Sequence, residues 1–110
     1  MKIATLAAAL TVSLGMSANA AAALDAKAAS AIMTRAGCSA CHLPDKKVLG
    51  PGYNEVAAKY KGNAKAGDLL MQKVRNGGSG TWGPIPMPPN PKEKVSDDEL
   101  KNLIGWILSL

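Results

Sequence analysis

The sequence predicts a small all-α protein: a single domain of about four short helices joined by long loops. Apolar residues recur three and four positions apart in several segments, which is the spacing of one face of a helix. Glycine and proline residues separate these segments and mark where helices end. A chain of 110 residues, shortened further if its N-terminus is cleaved, has room for one such domain.

The first twenty residues, MKIATLAAALTVSLGMSANA, have the layout of a secretory signal peptide. Lys2 supplies a positive charge, an apolar stretch follows up to Gly15, and the residues before Ala21 form a small-x-small cleavage site. We therefore expect residues 1–20 to be removed on export, and residues 21–110 to form the mature domain without stable membrane insertion. An uncleaved N-terminal anchor is the alternative.

Helical periodicity and helix-ending glycines define the first three predicted helices. Each segment is followed closely by a glycine, the residue that most readily ends a helix. The predicted helices are Asp25–Ala36 before Gly37, Asn54–Tyr60 before Gly62, and Lys65–Asn76 before Gly77. The first of them leads directly into the cysteine motif described below.

The last predicted helix has the clearest start. Ser96 and Glu99 have the spacing of a capping box, and Val95 and Leu100 have that of a hydrophobic staple. The residues that follow place leucines and isoleucines on one face. The helix is too short to span a bilayer, so we expect it to pack against the rest of the domain.

Two segments between the helices are predicted to be irregular. Leu43–Asn54 is rich in proline and glycine, and a longer segment contains WGPIPMPPN, residues 82–90. Because the second segment is rich in prolines, we expect it to form neither a helix nor a strand. A stiffened loop of this length in a compact domain indicates an ordered wrap around something, with Met87 held between prolines.

The chemistry-bearing motif is CSACH, which contains both cysteines, Cys38 and Cys41, and the one histidine, His42. C-x-x-C is typical of dithiol redox sites, but those follow a strand, and none is convincing here. A zinc site needs a second pair of ligands. C-x-x-C-H is the signal for covalent c-type haem attachment, in which two thiols three residues apart add to neighbouring vinyl groups and the histidine reaches the iron. The motif and the predicted export together favour haem c.

The ligand on the other face of the iron decides the chemistry. An open position suits gas or peroxide binding, whereas a methionine raises the potential and suits electron transfer. Met33 lies on the helix that leads to the histidine side, and Met71 lies on an amphipathic helix where a core role is the default. Met87 lies far enough after His42 for the chain to pass round the ring, which favours it as the second ligand.

Charge narrows the classes of partner. The whole chain has a formal charge of +5, and removal of Lys2 leaves about +4. The lysines are scattered rather than stacked into a dense basic stripe, so we expect no nucleic-acid binding. A basic surface that docks an acidic redox partner is the expectation, with the protein acting as a monomer.

The motifs CSACH, GPGYNEVAAKY, WGPIPMPPN and VSDDE followed by Trp106 together resemble the short bacterial class I c-type cytochromes, the cytochrome c-551/c-552 group. The resemblance covers roughly residues 25–109. It implies a class I cytochrome c fold around one covalently bound haem. Cys38 and Cys41 would form the thioether links, with His42 and Met87 as the axial ligands.

The resemblance also implies supporting roles. The carbonyl of Pro51 would accept a hydrogen bond from His42, Trp82 and Lys73 would bind a haem propionate, and Asn90 would donate toward the Met87 sulfur. Lys73 departs from the family pattern, where arginine is common and bidentate recognition is stronger. The segment Pro91–Lys94 also departs from it, because it lengthens the connection to the last helix.

The leading functional hypothesis is a periplasmic electron carrier, not an enzyme, that shuttles electrons between a respiratory donor complex and a terminal reductase or oxidase. The alternative is a haem-based ligand sensor or peroxidase-like protein in which Met87 is a labile ligand.

Overall fold

The structure, a computed structural model, describes residues 24–110 and the isolated positions 12 and 15, so the predicted signal peptide lies outside the described residues. In the described part the chain forms four α-helices and a small antiparallel sheet of two strands. The helices are α1 (Ala26–Arg35), α2 (Tyr53–Tyr60), α3 (Ala66–Asn76) and α4 (Asp97–Leu108), and the strands are β1 (Gly78–Gly80) and β2 (Gly83–Met87). The prediction of a mainly helical, single small domain is confirmed.

The helix ends follow the sequence signals. The Asp25 side chain accepts a hydrogen bond of 2.7 Å from the backbone N–H of Ala28 and caps α1. After α1, Gly37 has a left-handed backbone with φ of +82° and turns the chain into a 3₁₀ turn, Cys38–Ala40. This turn begins the cysteine motif, so the end of α1 fixes where the two thiols lie.

The predicted capping box of α4 is present. Ser96 Oγ accepts from the Glu99 backbone N–H at 3.2 Å, and the Glu99 carboxylate accepts from the Ser96 backbone N–H at 3.3 Å. Val95 and Leu100 are both buried in one cluster, as the predicted staple requires. Arg35 at the end of α1 forms an ion pair with Glu99, which ties the two helices together.

The helices α1, α2 and α3 each pack against α4, and the core lies between α4 and these three helices. The apolar face of α4 is buried, and its buried residues are Leu100, Leu103, Ile104 and Ile107. Tyr53 packs edge-on against Trp106, with ring centroids 6.4 Å apart. No helix in the described part of the chain is long and apolar enough to cross a membrane.

The prediction that the proline-rich segment contains no strand is wrong. β2 runs through Pro84 and Pro86 and pairs with β1 in an antiparallel hairpin, with Gly78 opposite Met87 and Gly80 opposite Gly83. A strand in a two-stranded sheet needs hydrogen bonds on one side only, so it accommodates residues that lack an N–H. The hairpin lies directly after α3 and gives Met87 a defined position beside the end of that helix.

Candidate functional site

The predicted site residues meet at one cleft. Cys38, Cys41 and His42 line it from the turn after α1, and Met87 lines it from the end of β2. The rest of the lining is mainly apolar and comes from α2, α3, α4 and the hairpin. Residues that lie 45 positions apart in the sequence therefore face a common space, with His42 and Met87 contributed by separate arms of the chain.

The His42 ring is fixed by its neighbours. Its Nδ1 lies 2.8 Å from the Pro51 carbonyl oxygen, at hydrogen-bond distance. Because a carbonyl can only accept, Nδ1 carries the hydrogen and Nε2 keeps its lone pair for a metal ion. Tyr53 stacks on the ring with centroids 5.4 Å apart, and a Cβ on Gly50 would lie only 2.5 Å from the ring carbon Cε1.

Both cysteine thiols are free and half-buried. The backbone N–H groups of Cys41 and His42 donate to the Cys38 carbonyl at 3.1 and 3.0 Å, which holds the motif in a tight turn. Burial raises the pKa of the Cys38 thiol, and nearby Lys94 only partly opposes this. Burial of this thiol therefore favours its protonated form over the thiolate.

Met87 is held close to the end of α3. Gly77, the residue after the helix, has φ of +68°, and a Cβ there would overlap the Met87 carbonyl oxygen and the Pro88 backbone. The neighbouring Gly78 pairs with Met87 across the hairpin. Only glycine permits this close approach, so the backbone of Met87 is positioned by α3 as well as by the prolines.

The two other methionines between residues 24 and 110 lie elsewhere. Met33 is buried in the core between α1 and its neighbours, with 3% of its surface exposed. Met71 packs against the second core cluster, beside the first turn of α4. Neither lines the cleft, so Met87 is the thioether that the described chain offers to it.

Lys73 and Trp82 also line the cleft, near the hairpin. Trp82 is half-buried, and the Lys59 ammonium lies 5.6 Å from its ring centroid. Lys73 and Trp82 thus bring an ammonium-bearing and an indole-bearing side chain to the same cleft, and both groups are hydrogen-bond donors that suit a carboxylate. Their binding of a propionate stays a prediction.

Asn90 is buried, with 5% of its surface exposed. Its side-chain amide donates to the carbonyl oxygens of Val74 and Pro88 at 3.2 and 3.0 Å. Both amide hydrogens therefore have backbone acceptors in this structure, and donation to the Met87 sulfur stays a prediction. The observed bonds instead attach the segment after Met87 to α3.

Sequence reasoning missed three contributors to the site. Tyr53 stacks on His42, Gly50 gives the ring its space, and Arg75 binds the segment that follows Met87. Gly50 is the first residue of the GPG sequence and Tyr53 directly follows it, so their closeness to Pro51 was a usable signal. No local pattern marks Arg75, because its partners lie 15 to 22 residues further along the chain.

This fold and donor set are those of a c-type cytochrome. The model of the cytochrome c family matches residues 26–110. The chain therefore belongs to the cytochrome c family, whose members are electron-transfer proteins with covalently bound haem c.

Relatives of known name agree with this family. The chain is 55% identical over 73 residues to cytochrome c-551 of Pseudomonas aeruginosa, a match that covers 66% of this chain and 67% of that one. It is 50% identical over 74 residues to cytochrome c-552 of Hydrogenobacter thermophilus, covering 67% and 72% of the two chains. The crystal structure of Nitrosomonas europaea cytochrome c552 superimposes with a TM-score of 0.67 at 42% identity, covering 73% of this chain and 96% of that one.

The residues at the cleft fit a haem c group. Two thiols, an imidazole with a free Nε2 and a thioether face an otherwise mainly apolar space, which is the donor set that such a group requires. No group of three or more histidine, cysteine or acidic side chains that could hold a metal ion by itself occurs among residues the structure describes.

Proposed function

We propose that this protein is a periplasmic carrier of single electrons, with one haem c attached through Cys38 and Cys41 and ligated by His42 and Met87. It shuttles electrons between a respiratory donor complex and a terminal reductase or oxidase. The observation that carries the proposal is that these four side chains line a single apolar cleft. When bound, the haem supplies the one-electron chemistry, and the protein supplies ligands, dielectric and a docking surface.

His42 would be a closely oriented ligand, because three neighbours fix its ring. The Pro51 carbonyl, 2.8 Å from Nδ1, orients the ring and raises the basicity of Nε2. The stacked Tyr53 and the close backbone of Gly50 limit rotation of the imidazole. A ring held in this way would keep its orientation in both oxidation states of a bound haem, which favours fast electron transfer.

Met87 would complete the coordination from the opposite arm. Its thioether is a soft ligand that favours the reduced metal, which raises the reduction potential. The hairpin and the end of α3 fix its backbone, so the ligand does not have to be recruited from a mobile loop. With His42 and Met87 both available to hold the iron, the site would favour electron transfer over binding of small ligands.

The periplasmic location and the partners follow from the N-terminus and the charge. Residues 1–20 have the layout of an export signal, and attachment of haem c outside the cytoplasm agrees with it. The net positive charge favours an acidic redox partner, bound transiently by a monomer.

Intact mass and optical spectra of the exported protein test the proposal. We expect the mass of residues 21–110 plus one haem that denaturation does not release. The oxidised protein should show the weak red absorption band of a sulfur to Fe(III) bond. A mass without haem would refute the proposal, and ready carbon monoxide binding at neutral pH without that band would favour the ligand-sensor alternative.

A further inference from the structure

One side chain of α3, Arg75, joins the segment that follows Met87 to the start of α4. Its Nη1 donates to the carbonyl oxygens of Asn90 and Val95 at 3.1 and 2.8 Å. Its Nη2 donates to Asp97 Oδ1 at 2.6 Å. We call these three hydrogen bonds the Arg75 bridge.

The Arg75 bridge joins the two ends of the segment Pro91–Lys94. This segment is where the chain departs from the pattern of the proteins it resembles. Asn90 directly precedes this segment and Val95 directly follows it, so a single nitrogen of Arg75 holds both of its ends. Within the segment, the backbone N–H groups of Lys94 and Val95 both donate to the Pro91 carbonyl, at 3.0 and 3.3 Å. The extra residues therefore form a compact turn whose ends are fixed on α3.

The same contacts bear on Met87, three residues before Asn90. The Asn90 backbone N–H donates to the Val74 carbonyl at 3.0 Å, and its side chain donates to the same carbonyl and to Pro88. The N–H groups of Asn90 thus donate to α3 and to Pro88, and its carbonyl oxygen accepts from Arg75. We call residues 87–90 the Met87 arm. Downstream of Met87, the attachment of the arm to α3 is completed by the guanidinium.

We propose that Arg75 is a positioning residue for Met87: the Arg75 bridge holds the arm so that the thioether stays at the cleft, even though the connection to α4 is lengthened. This inference rests on the proposed function, because it takes Met87 as the axial ligand. Arginine suits the role, since its planar fork can serve acceptors from two directions and its charge is permanent. Loss of the bridge frees the arm and makes displacement of the thioether less costly.

The two carbonyl bonds carry more of this effect than the ion pair. The Arg75 side chain is 18% exposed, whereas the Asp97 side chain is 54% exposed and is shared with Lys92 at 3.1 Å. An ion pair that is open to water on one side contributes little. Asp97→Asn should therefore weaken the position of Met87 less than loss of the guanidinium does.

Competition by imidazole for the iron of the oxidised holoprotein tests the proposal. Arg75→Met keeps an apolar stem of similar length and removes all three hydrogen bonds. We expect the half-saturating imidazole concentration, followed by loss of the red sulfur band, to fall about tenfold, the factor that loss of one to two net hydrogen bonds gives. Arg75→Lys, which keeps the charge without the fork, should give a smaller change in the same direction.

Arg35→Met is the matched control. Arg35 also binds an acidic residue in the first turn of α4, Glu99, but it does not contact the Met87 arm. This variant loses the same charge and should keep the wild-type imidazole affinity. The proposal is overturned if Arg75→Met and Arg35→Met have equal affinities at a temperature where circular dichroism shows both folded.

If Arg75→Met does not fold, Arg75→Lys decides the question, and wild-type imidazole affinity in Arg75→Lys overturns the proposal. The wild type separates this proposal from the proposed function. A wild-type protein without the red sulfur band contradicts Met87 as ligand, and the bridge proposal falls with it. A band that is present in the wild type and equally resistant to imidazole in Arg75→Met, Arg75→Lys and Arg35→Met contradicts the bridge alone.

Discussion

The His42 ring occupies a space that its neighbours define closely. Pro51 accepts from one nitrogen, Tyr53 covers a face, and the backbone of Gly50 lies where any side chain would strike the ring. Gly50 does not have a positive φ, so its requirement is for space alone. At the scale of single residues, the position of the imidazole is therefore a matter of packing as much as of hydrogen bonding.

Gly50→Ala tests this packing. The added Cβ would lie 2.5 Å from Cε1 and 2.9 Å from Nδ1 of His42, so the ring or the backbone of residue 50 must shift. We expect the variant to be destabilised by about 1–3 kcal/mol, the usual cost of overpacking, and to have an altered reduction potential. Denaturant unfolding and redox titration of the holoprotein measure the two effects.

Gly105→Ala is the control for Gly50→Ala. Gly105 lies within α4, and a Cβ there meets no atom within 4 Å. This substitution should stabilise the protein by about 0.5–1 kcal/mol through helix propensity and leave the potential unchanged. Equal behaviour of the two variants would contradict the packing account of His42.

Only some of the residues that line or support the cleft could be predicted from the sequence. Cys38, Cys41 and His42 form a contiguous motif, and Met87 stands out among prolines, so the sequence marked all four as candidates for the cleft that they line. Tyr53 and Arg75 could not, because they act through contacts that exist only once α2, α3 and α4 are packed. A local pattern carries information about ligands, but little about the side chains that orient them.

At the scale of elements, the N-terminus of α4 joins three parts of the chain. Arg35 reaches it from α1, Arg75 from α3, and Lys92 from the turn that follows the Met87 arm. The first turn of α4 is acidic, which favours these cations and also suits the positive end of the helix dipole. We therefore expect this junction to contribute most to the pH dependence of the free energy of unfolding.

Glu99→Gln tests the pH dependence. Hydrogen bonding from the Ser96 backbone N–H, assisted by Arg35, lowers the pKa of the Glu99 carboxyl in the folded protein. The unfolded chain then binds the proton at higher pH than the folded one, so this stabilisation is present above the ordinary value of 4.5 and is lost as pH falls below it. The glutamine side chain of the variant cannot titrate, and it retains the capping geometry.

We therefore expect the free energy of unfolding to fall less steeply in Glu99→Gln than in the wild type as pH is lowered from about 5 to 3, the range below the ordinary glutamate pKa. Asp97, whose pKa is lowered by hydrogen bonds from Arg75 and Lys92, maintains part of the slope. Glu93→Gln is the control, since Glu93 is exposed and forms no ion pair with any residue in 24–110. A Glu99→Gln slope equal to that of Glu93→Gln would contradict the prediction.

The helices could be predicted from sequence because their stop and start signals are local. Gly37 and Gly77 end α1 and α3, and the Ser96 capping box begins α4, as expected. The β1–β2 hairpin could not be predicted by the same reasoning, since proline is excluded from central strands but not from a two-stranded edge. Strand β2 forms because it pairs with the glycines after α3, and such pairing cannot be read from the local propensity of its own residues.

At the scale of the whole molecule, the positive charge is unevenly available to a partner. Lys92 is paired with Asp97, and Lys94 lies near the left-handed turn at Gly37. Lys46 and Lys47 are exposed on the loop that also presents Leu49, a residue that is 52% exposed and lines the cleft. Lys46 and Lys47 are therefore better placed than Lys92 and Lys94 to attract an acidic protein toward the cleft.

The double variant Lys46→Glu/Lys47→Glu tests this placement. It should slow electron transfer to an acidic partner at low salt and approach the wild-type rate at high salt, because screening removes the steering. Lys92→Glu/Lys94→Glu changes the net charge by the same amount and should have the smaller effect. Stopped-flow rates over a range of ionic strength measure both, and equal salt dependence of the two variants would contradict the assignment.

The ligation of the haem iron by Met87 is the central claim, and the reduction potential of Met87→Ala tests it most directly. Met71→Ala is the matched control, since Met71 packs against the core cluster beside α4 and does not line the cleft. We expect Met87→Ala to lose the red sulfur band and to have a substantially lower potential, while Met71→Ala keeps both the band and the potential. A native potential and spectrum in Met87→Ala, with both lost in Met71→Ala, would contradict the account.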